Sequence, residues 1–377
     1  MSDELQPFRI SVSDEDIQDL NDRLRRARLP ERETVADDSQ GVRRENLESA
    51  LAVWRDQHDW RRLESEINAY AQYMSTVDGL QFHTLHATSP RADARPLLIT
   101  HGWPGSIAEF LDVIPKLIDP PSDQPAFHVV MPSLPGYGFT EKPTSNGWSI
   151  DRIADAWPQI MDQLGYDRFL VQGGDWGAMV STLLAVRHPS RVSMLHTTVP
   201  WALKPDDARD EDLTPREKDW LAYLAEFRRS GGGYAAVMST RPQTFGYGLV
   251  DSPIGQLAWI LEAYLGHGDR KDGQPLVPMM RMIDNAAFYW FTATGASSAR
   301  LYWESLGKMD MTTPVGVPYG VSVFPKELQK LPRSWVEARY TDLRHWNVLD
   351  AGGHFAMLEV PNVFVSELRS AFSKAPD

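Results

Sequence analysis

The sequence predicts an α/β protein: a mostly parallel, twisted sheet with helices on both faces, a helical cap and a helical amino-terminal extension. Three observations carry this. Short apolar runs ending in Gly/Pro loops recur at RPLLITHGWPG, FHVVMPSLPGYG, RFLVQGGDWG and RVSMLHTTVP. They alternate with helical stretches, as strands covered on both faces do. Residues 201 to 309 then break the rhythm with helical runs such as REKDWLAYLAEFRRS and PIGQLAWILEAYLG, before strands return at VPYGVSVFP and WNVLDAGGHF. A helical insertion late in a parallel sheet is placed to cover the strand ends. Finally, VQGGDWGAMV, residues 171 to 180, has the small-x-nucleophile-x-small layout of a strand-to-helix elbow, with Asp175 at its apex.

Taken in order, residues 13 to 30 read as an amphipathic helix. Ser13 is its N-cap, Ile17, Leu20 and Leu24 share one face, and Pro30 is the stop. The polar stretch ERETVADDSQG is a loop. A second helical region spans about residues 44 to 73, with Trp54 and Trp60. Asp78-Gly79 is a turn followed by a strand. Residues 150 to 164 form a helix between the second and third buried strands, and the glycines at 231–233 mark a local hinge or turn. The domain reading is an extension over 1–90 leading into the first strands, a sheet-bearing core over 91–200 and 310–377, and a cap over 201–309.

Composition narrows the function. Of 377 residues 42% are hydrophobic, enough for a sizeable core, and 38 basic residues against 51 acidic give a net charge of −13. So acidic a surface repels phosphate backbones, which argues against a nucleic-acid partner. The absence of cysteine excludes disulfides, thiolate metal sites and a cysteine nucleophile. MSDELQPFRI lacks the regions of a secretory signal, and no apolar run approaches the roughly 18 residues of a membrane span. A soluble, cytoplasmic protein without a membrane partner is expected; a homodimer stays open.

The elbow sets the chemistry. Gly173, Gly174 and Gly177 flank Asp175 where a tight turn leaves no room for Cβ atoms, and the helix that follows offers free N–H groups and a positive dipole end. A triad on such a sheet runs nucleophile, acid, histidine. His354, in AGGHFAMLE past the last strand, is the expected histidine. Glu327, in FPKEL directly after YGVSV, is the expected acid, whereas Asp310 and Asp342 follow no convincing strand. A carboxylate attacking a carbonyl forms an anhydride, a poor route for esters. At saturated carbon it displaces an alkoxide or halide and forms an alkyl ester. His354, oriented by Glu327, can then activate water against that ester. The site therefore points to epoxides or alkyl halides and needs no cofactor or metal. The N–H groups of Trp103, in HGWPG, and Trp176 are the candidate oxyanion donors. The sharp loop predicts a cis Trp103-Pro104 peptide and gives His101 a loop-organising role.

Each motif alone has a plainer reading: GGDWG as a surface turn, GGH as a helix cap. Their shared order and strand-end placement favour the catalytic reading.

With HGWPGS, GYGFTEKP, GGDWG, FPKEL and GGHFAMLE together, nearly the whole chain resembles the epoxide hydrolases of the microsomal-type branch, which have the α/β-hydrolase core. PFRISVSDEDIQDLNDRLRRARLP and the DWR at residues 59 to 61 are similar to that branch's amino-terminal domain. The resemblance implies that Asp175 is the nucleophile, His354 the histidine and Glu327 the acid. It further implies two cap tyrosines that protonate the epoxide oxygen, Tyr234 in GGYAAVMSTRPQT and Tyr302 in ARLYWESLG. Residue type alone does not separate these from Tyr223, Tyr247, Tyr264 and Tyr289, which are expected to be core aromatics with satisfied hydroxyls. Mammalian members carry a membrane-anchor helix ahead of this domain; this chain starts inside it, which implies a soluble, bacterial-type relative. Detoxification and secondary metabolism are the settings the resemblance brings. An apolar epoxide is the expected substrate, with water as co-substrate. The aromatic cap and Met279, Met280 and Met282 agree with this, although most of these side chains are expected to pack in the core. The rival readings are a haloalkane dehalogenase, which holds a halide with Trp or Asn donors, and a silent scaffold that binds a ligand, which would show a broken triad.

Overall fold

A computed structural model describes residues 5–376. Its nine-stranded sheet uses β1 (Gln6–Phe8), β2 (Ala71–Val77), β3 (Leu80–Ala87), β4 (Arg95–Thr100), β5 (Phe127–Pro132), β6 (Phe169–Gly173), β7 (Val192–Thr197), and two strands late in the chain. A two-residue hairpin in the insertion, β8 (Arg270–Lys271) and β9 (Gln274–Pro275), makes those late strands β10 (Tyr319–Val323) and β11 (Leu343–Val348). The order is β1-β2-β3-β5-β4-β6-β7-β10-β11. β1, β2 and β3 form an antiparallel edge, and every pairing from β5 through β11 is parallel. The central strands FLVQG, VSMLHT and YGVSV are buried at every residue, as they must be when both sheet faces are covered.

The amino-terminal segment contributes helices α1 (Asp14–Arg25), α2 (Arg44–Asp56) and α3 (Trp60–Ile67). Ser13 caps α1 as expected, accepting from the Asp16 amide at 3.0 Å. The helix stops at Arg25, short of Pro30, because the Arg26 side chain takes the Asp22 carbonyl and closes the last turn. The stretch 44–73 is not one helical region. Asp59 accepts from the Arg61 amide at 2.9 Å and starts a new helix. Beyond it, AQYMSTV alternates with the period of a half-buried strand and pairs with β3 across the Asp78-Gly79 turn.

Next come α4 (Ile114–Ile118), α5 (Ile150–Gln163) and α6 (Asp175–Arg187), with α6 packed on β4, β6 and β7 beside α5. Six helices lie between β7 and β10 in the chain: α7 (Pro215–Glu226), α8 (Gly233–Thr240), α9 (Pro242–Asp251), α10 (Pro253–His267), α11 (Met279–Phe291) and α12 (Gly295–Ser305). The glycines at 231–233 sit where a short π-helical turn hands over to α8. The chain closes with α13 (Arg333–Arg339), α14 (Ala356–Glu359) and α15 (Pro361–Phe372).

One buried charge cluster ties these parts together. Asp284 on α11 accepts from Arg62 of α3, from His58 Nε2 at 3.2 Å and from Arg281 at 3.0 Å. Arg281 also reaches Glu66 at 2.8 Å and Asp112 at 2.6 Å. Replacing Asp284 by Ala would leave buried positive groups facing one another. Such a change is expected to cost about 3 kcal/mol, read as a lowered midpoint in denaturant unfolding. An unchanged midpoint would show that the cluster does not join the helices energetically.

Candidate active site

The elbow between β6 and α6 forces Asp175 into the left-handed region, φ 49°. A non-glycine residue is uncommon there and must be held by its surroundings. Neighbouring glycines allow it. A Cβ on Gly177 would lie 1.9 Å from the Thr100 carbonyl oxygen, and one on Gly173 would lie 2.2 Å from the Gly177 carbonyl oxygen. The HGWPG loop arrives from β4, and its Trp103-Pro104 peptide is cis. The Trp103 N–H donates to Asp175 Oδ1 at 2.8 Å. Gly102 permits that approach, since a Cβ there would sit 2.2 Å from the same oxygen. Trp176, the other candidate donor, occupies the first turn of α6. His101 spans the loop, donating from Nδ1 to the Gly102 carbonyl (3.0 Å) and accepting the Leu134 N–H at Nε2 (3.2 Å).

His354 lies between two carboxylates. Nδ1 is 2.8 Å from Glu327 Oε1, and Nε2 is 3.3 Å from Asp175 Oδ2. Burial pulls the pKa of the imidazole down, but the charges of Glu327 and Asp175 outweigh it and hold it well above the ordinary histidine value. Glu327 is fully buried and also accepts the Leu328 N–H at 2.6 Å. Asp310 instead caps its own loop through the amides of Thr312 and Thr313, and Asp342 pairs with Arg344.

The histidine loop is anchored to residues just after α10. The His354 N–H donates to the His267 carbonyl at 3.2 Å, and the Gly352 N–H to Asp269 at 2.9 Å. Glu359 accepts both the Asp269 N–H, at 2.7 Å, and the Phe355 N–H, at 2.8 Å. Sequence reasoning missed Asp269 and Glu359, since neither stands in a motif and only folding brings them to the loop.

Tyr234 on α8 and Tyr302 on α12 converge over the elbow. The Tyr234 ring stacks on Trp103, centroids 5.1 Å apart, and Tyr302 meets Trp176 edge-on at 4.7 Å. The two tyrosine rings are 6.0 Å apart, nearly perpendicular. Burial, reinforced by the Asp175 charge in each case, raises both phenols above the usual tyrosine value, so both stay protonated near neutrality. Tyr264 and Tyr289 are core aromatics whose hydroxyls donate to Glu109 at 3.1 Å and to the Gly105 carbonyl at 2.9 Å. Tyr223 and Tyr247 depart from expectation: they are 36% and 69% exposed, because the solvent-facing sides of α7 and α9 carry them outward. A cleft of about 530 Å³ runs from Trp103 and Tyr234 past Phe227 and Trp259 to the surface, a size suited to a small organic ligand.

Comparison with known proteins agrees with this geometry. Residues 5–110 match the family described as epoxide hydrolase N terminus, and residues 95–233 match the alpha/beta hydrolase fold. A Stigmatella aurantiaca protein provisionally named an epoxide hydrolase is 46% identical over 97% of this chain and 84% of its own length. Epoxide hydrolase 1 of Sus scrofa is 33% identical over 97% of this chain and 88% of its own length. The structure of Aspergillus niger epoxide hydrolase superposes with a TM-score of 0.90 at 32% identity, covering 99% of this chain and 97% of that one. The chain belongs to the epoxide hydrolase family, enzymes that hydrolyse an ether bond, on the α/β-hydrolase fold. No helix among the described residues is long and apolar enough to cross a membrane.

The raised pKa of His354 has a consequence for stability. A group whose folded pKa exceeds its unfolded value stabilises fully below the unfolded pKa, and that contribution is lost as pH rises through the folded pKa. Relative to His354→Gln, the wild type should therefore be most favoured at about pH 5 to 6.5. The margin should shrink as pH rises beyond neutrality, read by denaturant unfolding of both proteins. A margin that grows with pH would show that the histidine is not held as an imidazolium.

Proposed function

We propose that this enzyme converts an apolar epoxide to a vicinal diol through an alkyl ester on Asp175. The observation that carries the reading is the division of labour at that carboxylate: the Trp103 N–H takes Oδ1, and Oδ2 faces His354 Nε2. In this scheme an Asp175 oxygen attacks an epoxide carbon and the C–O bond of the ring breaks. Tyr234 and Tyr302 supply the proton to the departing oxygen. The attack converts the carboxylate to a neutral ester, so His354 loses one of the two charges that raise its pKa. The imidazolium then returns the proton to the tyrosine pair and becomes a base as the intermediate forms. Water, deprotonated by His354, adds to the ester carbonyl, with the oxyanion held by the N–H groups of Trp103 and Trp176. Collapse releases the diol, whose alkoxide takes the proton from His354.

Residues 201–309 serve as the cap in this reading, residues 1–90 as the extension around it, and 91–200 with 310–377 as the core. The enzyme works in the cytoplasm on a small apolar substrate. A dehalogenase fits less well, because two tyrosines converge beside Trp103 and Trp176, and a departing halide needs no proton donor. A silent scaffold fits less well too, since His354 lies within contact distance of both Asp175 and Glu327.

In a single turnover in heavy-oxygen water with enzyme in excess, the first diol should be unlabelled and the label should appear in Asp175. Complete labelling of the first diol would mean direct attack by water and would remove the covalent scheme. Tyr234→Phe and Tyr302→Phe should each slow ring opening by about a hundredfold, measured as the single-turnover rate of alkylation. Two single variants with wild-type rates would exclude the proton-donor assignment.

A further inference from the structure

The mechanism above leaves unused a buried carboxyl that borders the site. Glu109, in the short 3-10 helix after the HGWPG loop, is 4% exposed. The charges that reach it are those of His354 and Asp175, with no lysine or arginine among them. Oε1 accepts from the Tyr264 hydroxyl at 3.1 Å. Tyr264 is itself braced against Phe355, the residue after the histidine, with ring centroids 4.3 Å apart. On the other side Gly105 leaves space for the carboxyl, since a Cβ there would lie 2.2 Å from Oε2. An acid in this setting is costly to ionise, and burial pushes its pKa up to about 8. A purely apolar residue would fill the site without that cost.

What Glu109 faces explains its presence. Glu109, Asp175, His354 and Phe355 border one small cavity of about 20 Å³. A space of that size admits a single water when two or more polar groups line it. Trp103 borders both this cavity and the wide cleft at Tyr234, so the two adjoin at the HGWPG loop.

We propose that Glu109, fixed by Tyr264, holds the hydrolytic water for the second half-reaction. This rests on the covalent reading above. One hydrogen of the water goes to His354 Nε2 and the other is held by a Glu109 oxygen. The lone pair of the water oxygen is thereby aimed at the ester carbon of Asp175. A new C–O bond forms there, the carbonyl π-pair moves to the oxyanion, and the proton passes to His354. Glu109 gains and loses no proton in this step. It is a positioning residue for the nucleophile of hydrolysis and takes no part in ring opening.

The test separates the two half-reactions in single-turnover experiments with a styrene-type epoxide. Mass spectrometry of the Asp175 peptide follows the ester, and diol release follows hydrolysis. In Glu109→Leu, alkylation should proceed within about twofold of wild type, while hydrolysis slows at least tenfold and the ester accumulates. Glu109→Gln keeps an uncharged hydrogen-bonding group in the same place and should restore hydrolysis to within about threefold. A Leu variant that alkylates and hydrolyses at wild-type rates would overturn the proposal. So would a Gln variant as slow as Leu, because Glu109 would then matter only through packing. If neither variant nor wild type forms an ester, the covalent reading itself fails, which is a distinct result. Should the Leu variant not fold, a high-resolution crystal structure of the wild type decides. A water within hydrogen-bond distance of both the Glu109 carboxyl and His354 Nε2 supports the role, and its absence overturns it.

Discussion

The close approach of the β6–α6 elbow to the end of β4 is the constraint on which the rest of the site depends. Gly177 lies against the Thr100 carbonyl with no room for a side chain. That contact lets Asp175 take its left-handed backbone and meet the Trp103 amide. Were the turn wider, the apex carboxylate would be a solvated aspartate at a helix end. The Asp175 carboxylate and the Trp103 amide are thus brought together by one packing event, reached from two strands paired in parallel register.

The loop that carries Trp103 is held from above. Asn285 on α11 donates to the Pro104 carbonyl and accepts from Ser106 at 2.7 Å, and Tyr289 one turn later donates to the Gly105 carbonyl. Beside Asn285, Asp284 faces the amino-terminal helices through His58 and Arg62. A single helix therefore connects the amino-terminal helices to the HGWPG loop. Buried polar contacts of this kind fix geometry because each partner left unpaired would be costly.

Much of this was legible in the sequence, for definite reasons. The buried strands announced themselves because strands covered on both faces are apolar throughout. Asp175, Glu327 and His354 could be picked out because each follows a strand directly, at a glycine- or proline-marked loop. The amino-terminal boundaries were less legible. Asp59 restarts a helix within an otherwise continuous charged stretch, and AQYMSTV alternates too weakly to separate β2 from the helix before it. The exposed Tyr223 and Tyr247 show a different limit: residue type does not tell which side of a helix faces water. Glu109, Asp269 and Glu359 lay outside reach because their roles exist only through contacts between distant segments.

The anchoring of the histidine loop to the residues after α10 gives the enzyme an interlock. The loop hangs from the His267 carbonyl through the His354 amide and from Asp269 through the Gly352 amide, while Tyr234 and Tyr302 belong to the same helical insertion. Under the proposed mechanism the base and both proton donors are therefore all tied to one insertion, whereas Asp175 is held by the elbow between β6 and α6.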